Sequence, residues 1–186
     1  MARWALISGE SGVDNAALAL SIVERLTAAG VRVAGFVQHK SRNERGEKRY
    51  ELVRLHSKDR AVLAVDGVAA KGPTEEFFCS MAFHNDGFDA ARLWVEEDAG
   101  GADLLLLDGI SKLEVSGKGH CATLEAALRG EAAVLICVRA SQLSYVFERF
   151  GLDDAQMFAA LELPANDGAV EKFVQDVGEA CLGQRR

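Results

Sequence analysis

The residues whose types and spacing best suggest chemistry follow a short apolar run at the start of the chain. Residues 4–8 predict a buried strand, and an amphipathic helix pattern begins near Asn15. A strand, a glycine-marked loop and a helix form the arrangement of a phosphate-binding loop, in which backbone N–H groups surround phosphate oxygens. The segment therefore predicts an anion site at Gly9, Glu10, Ser11, Gly12, Val13, Asp14 and Asn15.

This segment lacks the side chains of the working motif G-x-x-x-x-G-K-[ST]. Aligned from Gly9, the second glycine becomes Asp14, the lysine becomes Asn15 and the hydroxyl residue becomes Ala16. Amides at a helix start can hold an oxyanion without lysine, whereas the Asp14 carboxylate would cap the helix and repel phosphate. A retained anion pocket and a purely structural turn are both open. Hydrolysis should be slow or absent, because losing one catalytic contact commonly costs about 100-fold.

A second candidate follows the most apolar strand pattern, the four leucines at 104–107. This pattern predicts a central parallel strand that delivers Asp108 to the carboxyl edge of the sheet, where ligands of open α/β sheets bind. Asp108 is a candidate Mg²⁺ ligand and a candidate catalytic residue. The alternative is that Asp108 only caps the turn after the strand.

Two further catalytic candidates, Lys112 and Glu114, come directly after this strand. On an extended segment they would share one side, and on a helix they would not face each other. Together with Lys118 and His120, Lys112 would form a cationic rim over the strand edge. The alternative is a solvated loop.

A basic hairpin is predicted between the second and third strands. Such charge usually marks a solvated edge that discourages sheet-to-sheet pairing, and the alternative is an anion clamp or a partner contact. The cations of this hairpin are Arg42, Arg45, Lys48, Arg49 and Arg54.

Strand and helix patterns alternate along the remaining chain, which predicts a three-layer, mostly parallel α/β sheet in a single domain over residues 1–186. Strands are expected at 31–37, 49–55, 60–65, 103–109, 133–139 and 157–163, and helices at 15–29, 86–97, 122–129 and 169–182. The aromatic stretch at 143–150 is expected to pack as a loop onto the domain, its exposed members forming a subunit or partner surface.

Composition and simple sequence features limit the partners, the location and the cysteine chemistry that we expect. The net charge of −7 argues against a nucleic-acid partner. No apolar run reaches the ~18 residues of a membrane span, and nothing at the start resembles a signal peptide, so the cytoplasm is the expected location. The four cysteines lie far apart, and reduced thiols are expected rather than a metal cluster.

The order of these features resembles the small nucleoside-triphosphatases of thermophiles and their human cancer-related relative. Members of that group carry a phosphate loop, a strand ending in Gly-Phe, a basic hairpin and an Asp-Glu-x-Gly-Lys-x-Glu box. The matching stretches here are 9–16, Gly35-Phe36, 45–49 and 108–114. The resemblance implies a P-loop NTPase fold. Since those enzymes have an acid where this chain has Gly109, it also implies loss of the group that polarises the attacking water.

A closer likeness, over 28–38 and 112–119, is to an uncharacterised bacterial family described as a molybdenum-transport-associated NTPase. Its members often lack the phosphate-loop lysine. This resemblance implies a role in molybdenum or molybdate handling, although no residue pattern in the chain itself indicates molybdenum.

Three functional hypotheses follow. The preferred one is a binding protein that holds a small anionic ligand, either a nucleotide with Mg²⁺ or an oxyanion such as molybdate, at 9–15, Lys112 and Lys118. The second is an active nucleoside-triphosphatase in which Lys112 or an arginine of the basic hairpin replaces the missing lysine. The third is a protein-interaction module, and a homo-oligomer is compatible with each.

Overall fold

The structure is a computed structural model that describes residues 2–10, 15–67, 75–78 and 80–183. In these ranges nine strands form one sheet, in the order β5-β6-β4-β3-β2-β7-β8-β1-β9. The strands are β1 (Trp4–Gly9), β2 (Val33–Arg42), β3 (Lys48–Arg54), β4 (Arg60–Asp66), β5 (Glu75–Phe78), β6 (Met81–His84), β7 (Leu104–Ile110), β8 (Ala133–Arg139) and β9 (Met157–Leu163).

One half of the sheet is parallel. The strands β2, β7, β8, β1 and β9 are neighbours in that order, and every pairing among them is parallel. Their apolar sequences suit this position, because strands covered on both faces read as continuous hydrophobic runs. The leucines at 104–107 are each at most 1% exposed, which confirms the prediction of a buried central strand.

Helices cover both faces of the parallel half. They are α1 (Asn15–Ala28), α2 (Asn85–Asp98), α3 (Lys112–Val115), α4 (Cys121–Arg129), α5 (Leu143–Phe150) and α6 (Asp167–Leu182). Apolar residues of α1 and α6 form one core with the sheet, and those of α2, α4 and α5 form another on the opposite face. The chain therefore has the three-layer architecture of the P-loop NTPase type that the sequence predicts.

The other half of the sheet is antiparallel, through the pairs β2–β3, β3–β4, β4–β6 and β6–β5. The hairpin of β3 and β4 agrees with the predicted strands at 49–55 and 60–65. Strands β5 and β6 are missing from the prediction, because each has only 4 residues and so few residues show no clear alternation.

The stretch Leu143–Phe150 is a helix, and the prediction of a loop there was wrong. Val146 and Phe150 are buried four residues apart, which is the spacing of one helical face. Tyr145 is 56% exposed, so the partner surface at this stretch stays a prediction. Across the part of the chain that the structure describes, no helix is both long and apolar enough to cross a membrane.

Candidate functional site

A cavity of about 340 Å³ opens at the carboxyl edge of the parallel strands. It is lined by Gly9 at the end of β1, Asp108 near the end of β7 and Arg139 at the end of β8. Parallel strands end on the same side of a sheet, and Gly9 lies beside Arg139 in the register of β1 and β8. The fold therefore brings together residues that are far apart in sequence.

Several residues of the predicted site line this cavity. They are Gly9, Glu10, Asp108, Lys112 and Glu114, together with Ala16 from the aligned loop. Ser11, Gly12, Val13 and Asp14 lie outside the described residues, and Asn15 is the first residue of α1. Lys118 is exposed and is not one of the described residues that line the cavity.

Asp108 is 6% exposed and is held between two strands. Its Oδ2 accepts a hydrogen bond of 2.8 Å from the backbone N–H of Gln38 on β2. Within the described ranges no group of three or more His, Cys, Asp or Glu side chains is arranged to hold a metal ion. Mg²⁺ commonly takes only one or two carboxylates and completes its shell with water and substrate phosphate, so a single aspartate suits a metal that arrives with its ligand.

The backbone conformation of Gly109 disfavours an acid directly after Asp108. Its φ of +91° disfavours any side chain, and a Cβ atom there would lie 2.5 Å from Oε1 of Gln38. The Gln38 carboxamide thus occupies the space that an acid at position 109 would need. Sequence reasoning missed Gln38, because its contact with Gly109 depends on how β2 and β7 pair.

Glu114 is buried rather than placed on a rim. It lies in the short helix α3, where its Oε2 accepts the N–H of Ser111 at 2.8 Å and its Oε1 accepts the N–H of His120 at 3.0 Å. The side chain is 2% exposed, and burial raises its pKa to about 7. Its main effect is to hold residues 111–120 in one conformation beside the cavity.

The raised pKa of Glu114 predicts a pH dependence of stability. The pKa is about 4.3 when the chain is unfolded, so between pH 4.3 and 7 the folded state binds more protons. Relative to the Glu114→Gln variant, the free energy of unfolding of the wild type should therefore fall by about 2 kcal/mol between pH 5 and 8. Urea unfolding of the wild type and of Glu114→Gln tests this.

The comparison with Glu114→Gln isolates this change, because an amide does not ionise in this range and the opposing contribution of buried His120 is common to both proteins. The exposed Glu44→Gln variant is the control and should keep the wild-type slope. Equal pH slopes for the wild type and Glu114→Gln would show that Glu114 is not the titrating group.

His120 does not belong to a cationic rim, and that part of the prediction was wrong. The ring is 1% exposed and packs against Phe36 and Phe88, with centroid distances of 4.6 and 4.8 Å. Burial lowers its pKa to about 3, so the imidazole is neutral at physiological pH.

Among the described residues, four exposed side chains on four elements give the cavity its positive charge. They are Lys40 on β2, Lys48 on β3, Lys112 on α3 and Arg139 on β8. The sequence prediction included Lys48 and Lys112 but missed Lys40 and Arg139. Arg139 had a usable signal, since it ends a predicted parallel strand and therefore had to reach the same edge as Asp108.

The predicted basic hairpin divides into different roles. Lys48 faces the cavity, whereas Arg49 pairs with Glu51 on its own strand at 2.8 Å. Arg54 is only 13% exposed and binds Asp98 and Glu97 on α2 at 2.6 and 2.9 Å. Arg54 therefore ties the sheet to a helix and is not placed to act as a displaced catalytic cation.

Replacing Arg54 by alanine should cost about 2 kcal/mol of unfolding free energy, because it leaves the largely buried Asp98 without its partner. Arg49→Ala is the matched control on the same strand. That side chain is 46% exposed, and its loss should cost less than about 0.5 kcal/mol. Denaturant unfolding of both variants measures the difference, and equal costs would contradict the bridging role of Arg54.

The fold and the cavity define a class: a three-layer α/β protein with a cavity lined by cationic side chains at the carboxyl edge of its parallel strands. Within that class, the chain belongs to the DUF2478 family, described as proteins of unknown function, whose model matches residues 4–167. The prediction of a family of unknown function is thereby confirmed. The association with molybdenum stays a prediction.

The chain is also similar in sequence and structure to known nucleoside-triphosphatases. The nucleoside-triphosphatase THEP1 of Methanocaldococcus jannaschii is 23% identical over 131 residues, covering 69% of this chain and 74% of that protein. The solution structure of a human cancer-related nucleoside triphosphatase matches with a TM-score of 0.67 at 18% identity over 100% of both chains. The crystal structure of THEP1 from Aquifex aeolicus matches at 0.66 and 18% identity, over 94% and 96% of the chains. At these identities the structural likeness shows the fold.

Proposed function

We propose that this protein binds the phosphate groups of a nucleotide, or another oxyanion, in the cavity and hydrolyses nucleotides slowly or not at all. The observation that carries this proposal is the convergence of Lys40, Lys48, Lys112 and Arg139 on one cavity, in a chain whose net charge is −7. A cationic cleft in an acidic protein concentrates small anions. The sequence similarity to nucleoside-triphosphatases supports a nucleotide as the anion.

The phosphates would lie between the start of α1 and the loop after β7. Gly9 lines the cavity immediately before the segment that leads into α1, and amides at a helix start attract negative oxygens. Residues 9–15 would supply these amides, Lys112 would contact the phosphates from the other side, and Lys118 would add attraction from outside the cavity. Mg²⁺ bound to the nucleotide would meet Asp108.

Slow hydrolysis follows from what surrounds Asp108. Position 109 carries no acid, and its φ of +91° disfavours one, whereas the Gln38 side chain that lies against it is neutral. The aligned loop has Asn15 and Ala16 where a working loop has a lysine and a Mg²⁺-binding hydroxyl. The remaining groups suit binding better than activation of water.

The second candidate function is an active nucleoside-triphosphatase. Its support is that Lys112 and Lys48 line the same cavity as Asp108 and offer ammonium groups in place of the missing lysine. Phosphate release from ATP and GTP with Mg²⁺ distinguishes the candidates. Release that disappears in Asp108→Ala would favour the enzyme, and no release above a buffer blank would remove it.

Isothermal titration with ATP, GTP, inorganic phosphate and molybdate tests the binding proposal. Molybdate is included because of the family resemblance. We expect heat with at least one of these anions at millimolar concentration and a weaker response as salt is raised, since the cations are exposed. No heat with any of them would overturn the proposal and leave a protein-interaction module as the remaining hypothesis.

A further inference from the structure

One wall of the cavity is aromatic. Tyr50 on β3, Phe83 on β6 and Phe88 on α2 line it together with His120. The Phe83 and Phe88 rings are stacked, with centroids 5.9 Å apart and planes within 15°. Ligand sites typically combine such apolar walls with a few polar groups that fix orientation, so this half of the cavity suits a flat ring.

His120 is the polar group in this wall. Among the described residues, neither Nδ1 nor Nε2 of its ring has a hydrogen-bond partner, although the ring is buried. A neutral imidazole offers one donor and one acceptor, and leaving both unpaired in a protein interior is costly and uncommon. Because this ring borders a cavity of ligand size, a bound molecule can reach one of the two nitrogens.

The position of His120 is fixed from its backbone. Its N–H donates to the buried Oε1 of Glu114 at 3.0 Å, and its ring is wedged against Phe36 and Phe88. Since only 1% of His120 is exposed, a ligand must displace a neighbouring side chain to reach it. Phe88, which meets the His120 ring edge-on, is the side chain we expect to move.

Positive charge stands next to this aromatic wall. The Nζ atom of Lys40 lies 6.0 Å from the centre of the Tyr50 ring, and Lys48 lines the same cavity. A ring in the aromatic half would thus have cations beside it for a phosphate attached through a sugar. The aromatic wall, the buried polar ring of His120 and the adjacent cations thus match the base and the phosphates of a nucleotide.

We propose that the aromatic half of the cavity is a subsite for the heteroaromatic ring of a nucleoside, which His120 recognises by hydrogen bonds. The phosphate attached to this ring rests on the proposed function, whereas recognition of the ring itself does not. The ring comes from one of two sources: the base of the nucleotide whose phosphates lie near Gly9, or a second nucleoside bound beside that nucleotide.

Calorimetric titration of the full chain with adenosine, guanosine, ATP and inorganic tripolyphosphate separates the two halves of the cavity. We expect at least one nucleoside to bind without any phosphate. His120→Phe, which keeps an aromatic ring and removes both nitrogens, should weaken nucleoside binding about tenfold and leave tripolyphosphate binding unchanged. The matched control is His39→Phe on β2, an exposed histidine outside the cavity wall, which should change neither.

The source of the ring follows from competition. Adenosine that is displaced by ATP shows that the subsite holds the base of the same nucleotide, whereas adenosine that still binds at saturating ATP shows a second molecule. Failure of both nucleosides to bind, or equal nucleoside affinities in the wild type and His120→Phe, overturns the subsite. Failure of ATP and tripolyphosphate while a nucleoside binds overturns the proposed phosphate site instead.

A ligand-side comparison keeps the test decisive if His120→Phe does not fold. Indole riboside keeps the sugar and a fused ring but lacks the amino group and every ring nitrogen of adenosine except the one bonded to the sugar. It should bind the wild type about tenfold more weakly than adenosine if the ring is recognised by hydrogen bonds. Equal affinity for the two ribosides contradicts recognition by His120.

Discussion

Replacing Gly35 by alanine should destabilise the protein by about 4 kcal/mol, the largest effect we expect from a single methyl group in this fold. Gly35 lies within β2 at a φ of +101°, and a Cβ atom there would overlap the backbone carbonyl oxygen of Leu106 on β7. The conformation alone costs roughly 1–2 kcal/mol for a side chain, and overpacking against backbone adds roughly 1–3 kcal/mol. Thermal and denaturant unfolding measure the loss.

The matched control is Gly30→Ala, which has the same backbone problem without the collision. Gly30 also has a positive φ, of +91°, but a Cβ atom there would meet nothing within 4 Å. Its replacement should cost about 1 kcal/mol. Equal losses for the two variants would show that β2 and β7 do not approach each other as closely as the structure places them.

Reversing two charges of the cavity, Lys48→Glu with Lys112→Glu, should weaken ATP binding about 100-fold. The two lysines line the cavity from different elements, β3 and α3. Each reversal replaces an attraction to phosphate by a repulsion, and about tenfold for each is modest for charges at a ligand. Isothermal titration at fixed ionic strength measures the change.

The control for this pair is Arg45→Glu with Arg129→Glu, which makes the same change in net charge. Both arginines are exposed and lie outside the cavity wall, so ATP affinity should fall less than about threefold because salt screens distant surface charges. An equal loss in both pairs would mean that net charge, rather than this cavity, governs binding.

Much of the fold was predictable because its parallel strands have continuous apolar sequences. The prediction placed strands at 133–139 and 157–163, and the structure has the same bounds. The four consecutive leucines before Asp108 are typical of a strand that is covered on both faces. Strands β5 and β6 were missed because their stability comes from pairing with β4 and with each other, which no pattern in their own residues shows.

The candidate site was less predictable, because its walls come from elements that meet only after folding. Asp108 and Lys112 were found by their place after a strong strand. His120 was predicted to join a cationic rim because it lies close to Lys112 and Lys118 in the sequence, whereas Phe36 and Phe88, which bury it, lie far away along the chain. Gln38 could not be found either, since its importance comes from the register of β2 against β7.

The most direct test of the central claim is a crystal structure of the protein grown with Mg²⁺ and a nonhydrolysable ATP analogue. We expect density for the phosphates between Gly9 and Lys112, with the metal ion beside Asp108. A nucleotide bound on another face, or an empty cavity at saturating analogue, would contradict an anion site at the carboxyl edge of this sheet.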